Sequence, residues 1–309
     1  MARSHYLNAR MHLERGQLDE AARDYKRAIL FDDADPQLYL ELGALRLAQG
    51  DAEAALEWFD EAVSLGGGPE ARVARAMALF ELGRLAEAEQ ARSELEPGPG
   101  RAALTLTLGH PREALAEADP QDIDLLADAA ARGGLCGPAL SKAVPVSLDQ
   151  LDRGAALARD CGDLAREGAW LARLQAADLD VDARIAANAC EQDALSEEDP
   201  GRAAGLLAAC TSTADPRVFR LRLAAGEGVE PTTSLERAEV ARVAEDWASV
   251  DALADESPRG VALRGRAALG RGELERAENL LNRSLEMAPT DTEVMAWATQ
   301  ARYQRALEP

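Results

Sequence analysis

PQLYLELGALRLAQGDAEAALEWFDEAVSLGG, residues 36–67, decides the fold. Tyr39, Leu42, Gly43 and Leu47 fall at helical spacing before Gly50, and Ala55, Phe59, Ala62 and Val63 do so after it. The pattern predicts two amphipathic helices joined at Gly50, because glycine takes the left-handed conformation that ends a helix at least cost. Gly43, Ala55 and Ala62 let two helices approach closely, while Tyr39, Leu42 and Phe59 fill the space between them.

Working outward, the same turn recurs in ERGQLDEAARDY (14–25), ELGRLAEAEQAR (81–92) and GRGELERAENLL (270–281). The turn glycines are Gly16, Gly50, Gly83 and Gly272, and five residues after each stands an alanine: Ala21, Ala55, Ala88 and Ala277. A period of 33 or 34 residues is one helical hairpin. A lone hairpin leaves an apolar side uncovered, so hairpins must stack, and their stability is a sum over neighbouring contacts.

On these residues the sequence resembles the tetratricopeptide repeat family. The family's first-helix aromatic is matched by Tyr39, its Leu-Gly pair by Leu42-Gly43, its alanines by Ala55 and Ala62, and its second-helix aromatic by Phe59. Residues 2–35 keep Gly16, Ala21, Tyr25 and Ala28, and 258–291 keep Gly265, Gly272, Ala277, Leu281 and Pro289. Clear resemblance spans 2–95 and 258–291. It implies an all-α fold, a right-handed α-α superhelix of about nine hairpins plus a capping helix over 290–309. Regular repeats are expected at 1–96, short degenerate hairpins at 97–257 and a last repeat with its cap at 258–309, in one continuous solenoid. In the middle, hairpins are expected at 101–120, 121–144, 148–180, 182–211 and 216–255, with breaks at Pro97-Gly98-Pro99-Gly100, Gly133-Gly134, Pro145, Pro200-Gly201 and Pro231.

Charge excludes whole classes of partner. The 309 residues carry 34 Lys plus Arg against 55 Asp plus Glu, a formal −21. Binding nucleic acid or an anionic membrane needs clustered cations, so neither is expected. Lys26 and Lys142 are the two lysines, and the abundance of arginine and alanine matches a GC-rich bacterial coding bias. The start, MARSHYLNARMHLERGQ, lacks the unbroken apolar run of a secretory signal, so a soluble, cytoplasmic chain is expected.

Candidate chemistry is sparse. Cys136, Cys161, Cys190 and Cys210 lie 20 to 29 residues apart without a CxxC pair, which reads as reduced, buried thiols. His5 and His12 share a face of the first helix without a third ligand, and His110 occupies a turn. No HExxH, GxxxxGK[ST] or GxSxG occurs. Acidic runs such as Asp32, Asp33 and Asp35, or Glu197, Glu198 and Asp199, read as helix caps and solvated surface. No catalytic residue, no metal and no cofactor is expected, and the chain is read as a non-enzyme.

What the resemblance does supply is a groove, lined in that family by the first helix of each hairpin. The matching positions are Tyr6, Arg10 and Leu13, then Leu40, Ala44 and Leu47, then Val73, Met77 and Phe80. They are largely apolar and suit an apolar or amphipathic partner helix with basic flanks. The function expected is a protein-binding adaptor or scaffold. The alternatives are a structural subunit of a homo- or hetero-oligomer, or a regulatory subunit of an enzyme complex.

Overall fold

The computed structural model describes residues 1–306, and the described residues form helices joined by turns, with no strand. The chain divides into two compact units, Met1–Asp119 and Pro120–Pro309.

The first unit holds four antiparallel pairs: α1 (Ala2–Glu14) with α2 (Leu18–Phe31), α3 (Pro36–Ala48) with α4 (Ala52–Ser64), α5 (Gly68–Glu81) with α6 (Leu85–Ser93), and α7 (Pro99–Thr107) with α8 (Pro111–Glu117). The second begins with α9 (Ile123–Gly133) and α10 (Cys136–Lys142), α11 (Leu148–Asp160) and α12 (Leu164–Gln175), then α13 (Asp182–Ser196) and α14 (Pro200–Cys210). A single helix, α15 (Pro216–Ala224), precedes the pair α16 (Ser234–Val243) and α17 (Trp247–Leu253). The pair α18 (Pro258–Gly270) and α19 (Leu274–Met287) and the closing α20 (Thr292–Ala306) complete it. The expected nine hairpins and cap are therefore present among the described residues, but the stretch 216–255 contains three helices where the sequence reading expected two.

The pairing rests on a register that runs well past the recognisable repeats. In eight of the nine pairs the turn residue has positive φ and the residue five positions on is buried. These are Gly16 and Ala21, Gly50 and Ala55, Gly83 and Ala88, Gly109 and Ala114, Gly134 and Ala139, Gly162 and Glu167, Glu245 and Val250, and Gly272 and Ala277. A small residue there lets the second helix seat against the first. Carboxylates set many helix starts: Asp35 accepts a hydrogen bond from Gln37 N at 2.9 Å and Asp199 from Arg202 N at 2.7 Å, as the acidic runs led one to expect. Asp291 caps α20 through Val294 N at 3.1 Å.

The cores lie where successive hairpins stack. Ala9, Ala21, Tyr25, Leu42 and Leu45 form one cluster, and Ala55, Phe59, Ala78, Leu79 and Ala88 the next. One core of the second unit lies at α16–α20, around Leu263, Ala267, Leu281, Val294 and Trp297. That unit also closes on itself. Met287 packs over Gly134, α10 touches α19, and Thr290 Oγ1 donates to Gly162 O at 3.0 Å across 128 residues. An open repeat array, in which each repeat meets only its neighbours, has no such contacts.

The thiol expectation is overturned. Cys136 pairs with Cys161 and Cys190 with Cys210, at Cα separations of 5.5 and 5.8 Å. The first disulfide ties α10 to the end of α11, and the second ties α13 to the end of α14. Spacings of 25 and 20 residues concealed this, because packing of successive helices brings together residues about two helix lengths apart in the chain.

Candidate functional site

The apolar stripe belongs to the first unit, and each of its nine members keeps accessible surface. Tyr6, Leu13, Leu40, Leu47, Val73, Met77 and Phe80 are half-buried, and Arg10 and Ala44 are exposed. Their helix neighbours Leu38, Leu42, Leu45, Ala76 and Leu79 are buried. The stripe is therefore a flank of the core rather than a free apolar sheet. Tyr6 and Leu13 lean on the α1–α2 cluster, Leu40, Leu47 and Phe80 on the α4–α5 cluster, and Val73 and Met77 on Ala76, Leu95 and Leu104.

Polar groups fix its N-terminal part. Glu41 accepts from Gln37 Nε2 at 3.2 Å, from the Tyr25 hydroxyl at 3.3 Å and from Arg10 at 3.5 Å. Burial, with the Glu41 charge beside it, raises the Tyr25 pKa, so this phenol is a permanent donor at neutral pH. Tyr6 meets the Tyr25 ring edge-on, with centroids 6.1 Å apart. Arg10 is the cation standing on the stripe.

The histidines do not form a site. His5 and His12 approach Asp24 at 3.5 and 3.6 Å, and His5 stacks on Phe31. His110 sits 2.6 Å from Glu89, across the α6–α8 contact. Among the described residues no group of three His, Cys, Asp or Glu side chains could hold a metal.

The second unit carries buried charge that sequence reasoning missed. Glu167 occupies the small-residue register position and is only 2% exposed. It accepts from Arg159 Nε at 2.9 Å and Asn188 Nδ2 at 2.8 Å, and Arg159 also pairs with buried Glu191. Nearer the end, Glu239 takes Arg242 at 2.8 Å and Arg259 at 2.5 Å, and both guanidinium groups lie over the Trp297 ring. Burial alone would push the Glu239 carboxyl up, but Arg259 and Arg242 outweigh it and hold the pKa below its ordinary value. These carboxylates carry structure rather than acid–base chemistry, because each has full-time cationic partners. For Glu167 the signal in the sequence was a charged residue at a register position otherwise held by alanine or valine.

Comparison with known proteins bears on the first unit. Residues 9–50 match a family model described as TPR repeat, and 36–65 match one described as Tetratricopeptide repeat. No curated protein sequence matches the chain. Among solved structures, the TPR domain of P58(IPK) is 14% identical, covering 100% of this chain and 99% of that chain with a TM-score of 0.32. A tetratricopeptide repeat protein from Parabacteroides merdae is 15% identical, covering 97% of this chain and 98% of that one with a TM-score of 0.33. No described helix is long and apolar enough to cross a membrane. Residues 9–65 thus match tetratricopeptide repeats, within a chain whose described residues are helices paired through a shared turn register.

Proposed function

We propose that the first unit binds a segment of a partner protein along the first helices of its hairpins, on the line Tyr6, Arg10, Leu13, Leu40, Ala44, Leu47, Val73, Met77 and Phe80. One observation carries this reading: the apolar members of α3 and α5 stay half-exposed at spacings of i, i+4 and i+7 beside fully buried neighbours. Such a line fits the apolar face of an amphipathic helix. The surrounding acidity, a net −8 over residues 1–100, favours a segment with basic flanks. The partner is a protein, and the chain acts as adaptor without chemistry of its own. The disulfides favour an oxidising setting over the reducing cytoplasm expected from the sequence.

A photo-crosslinker tests the face directly. Placed at Ala44, on the stripe, it should capture the partner, and placed at Glu57, exposed on α4, it should not. Capture from position 57 alone would move the binding surface to the acidic exterior.

A further inference from the structure

Helix α15, which packs on α14, borders a cavity of about 760 Å³ between itself, the connection to α16, α16 and the start of α18. Val218, Phe219, Val229 and Leu235 give it apolar walls, and Arg220 and Arg259 border the same space. Most charged groups around it are already engaged. Arg222 is paired with Glu227 at 2.6 Å, and Glu236 closes the α16 capping box on Thr232 and Thr233. Asp255 accepts from Ser257 N at 3.0 Å, and Glu239 is held by Arg242 and Arg259. Glu230 lies exposed at the rim.

Arg220 differs from all of these. Among the described residues it has no hydrogen bond and no carboxylate within ion-pair distance, and it is half-buried. Arg259 spends Nε on Glu239 and Nη2 on Glu293, while its Nη1 is buried without a hydrogen bond and stands 3.8 Å from Asp291. Burial, and then the charge of Arg259, pull the Arg220 pKa below its ordinary value, so the two guanidinium groups repel each other across this region. A cation so placed is stabilised by an anion that desolvates with it.

We propose that this cavity is a binding site for a small organic monocarboxylate, with Arg220 taking the carboxylate and the Val218, Phe219, Val229 and Leu235 wall taking its apolar body. A planar guanidinium matches a carboxylate in a two-point hydrogen bond. One cation without a direct ion pair matches one negative charge, and the carboxylates of Glu230, Glu236, Glu239 and Asp255 disfavour a multiply charged anion such as phosphate.

The test is titration calorimetry on the whole chain with octanoate, 4-phenylbutyrate and inorganic phosphate, with melting followed in parallel. The expected result is saturable binding of at least one of the two acids and none of phosphate. Arg220→Gln should weaken the acid by about tenfold or more, while Arg237→Gln, at an exposed position outside the cavity lining, leaves it unchanged. Arg220→Gln should also melt at or above the wild-type temperature without acid, since an unpaired, repelled cation is removed. Absence of binding by both acids, tighter binding of phosphate, or undiminished acid binding by Arg220→Gln would each overturn the assignment. A variant Arg220→Gln that melts well below the wild type would do so too, because Arg220 would then have a structural partner.

Discussion

Gly43 on α3 and the Phe59 ring on α4 stand in direct contact, so that a Cβ added to Gly43 would lie 2.5 Å from Cε1 and 2.6 Å from Cδ1. The same relationship recurs sixteen residues apart twice more in the chain. A Cβ at Gly265 would lie 2.8 Å from Leu281 Cγ, and one at Gly154 would lie 3.2 Å from Trp170 Cε3. The sequence reading expected Gly43 to admit a neighbouring helix, and the group that fills the space is an aromatic face rather than a backbone.

Gly43→Ala should therefore destabilise the first unit, although alanine is the better helix former. A buried ring cannot yield as a flexible side chain does, and overpacking of this kind costs about 1–3 kcal/mol. Thermal unfolding of Gly43→Ala, and of Gly43→Ala combined with Phe59→Leu, checks this: the single variant should melt lower and the double variant should recover part of the loss. Equal melting of wild type and single variant would show the register to be wrong.

Much of this fold was legible because a left-handed turn residue followed at the fifth position by a small buried residue is written into the chain. Gly16, Gly50, Gly83 and Gly272 displayed it with alanine each time. Where the middle hid it, chemistry had changed while geometry had not. Glu167 takes the alanine's place because Arg159 and Asn188 satisfy its charge, and Glu245 takes the glycine's place at φ 57° with Val250 five residues on. The extra helix α15 was not legible, since helical spacing and the Pro231 break in 216–255 suit two helices as well as three. The stripe was legible as a pattern, but its packing against three separate clusters depends on neighbouring hairpins that no local reading supplies.

Reduction of the disulfides should destabilise the second unit and leave the first unchanged. All four cysteines lie in Pro120–Pro309, and closing a loop of 25 residues contributes about 3 kcal/mol by the chain-entropy argument. Peptide mapping without reductant should recover Cys136 linked to Cys161 and Cys190 linked to Cys210. Hydrogen exchange with reductant should then accelerate in α10–α14 while α1–α6 keep their rates. Free thiols in the unreduced protein would contradict the pairing.

Acid should loosen the end of the second unit through Glu239. Its folded pKa lies below its ordinary value, so the unfolded chain binds the proton more readily and stability falls as pH drops. The contribution is complete above the ordinary carboxylate range and is lost as pH falls through the lower folded value. Glu239→Gln, which leaves Arg259 short of a buried counter-charge, should cost about 3 kcal/mol at pH 7. It should also flatten the decline of melting temperature between about pH 5 and pH 3. Parallel pH profiles for wild type and variant would exclude this ion pair as the cause.

The two kinds of stripe residue should separate stability from binding. Leu47 packs, as Leu40 and Phe80 do, against the core of Ala55, Phe59, Ala78 and Leu79, so Leu47→Asp should lose about 2–4 kcal/mol and lower melting whether or not a partner binds there. Chemical denaturation read by helical circular dichroism measures this, and unchanged stability would mean that Leu47 does not support the core.

Ala44 is the decisive position, because it lies on the same line yet is exposed and belongs to no core cluster. The measurement is partner affinity for Ala44→Arg alongside Glu57→Arg, each with its melting temperature. If a partner segment lies along α1, α3 and α5, Ala44→Arg abolishes binding and melts within about 2 °C of the wild type, while Glu57→Arg binds normally. Undiminished binding by Ala44→Arg would contradict the account.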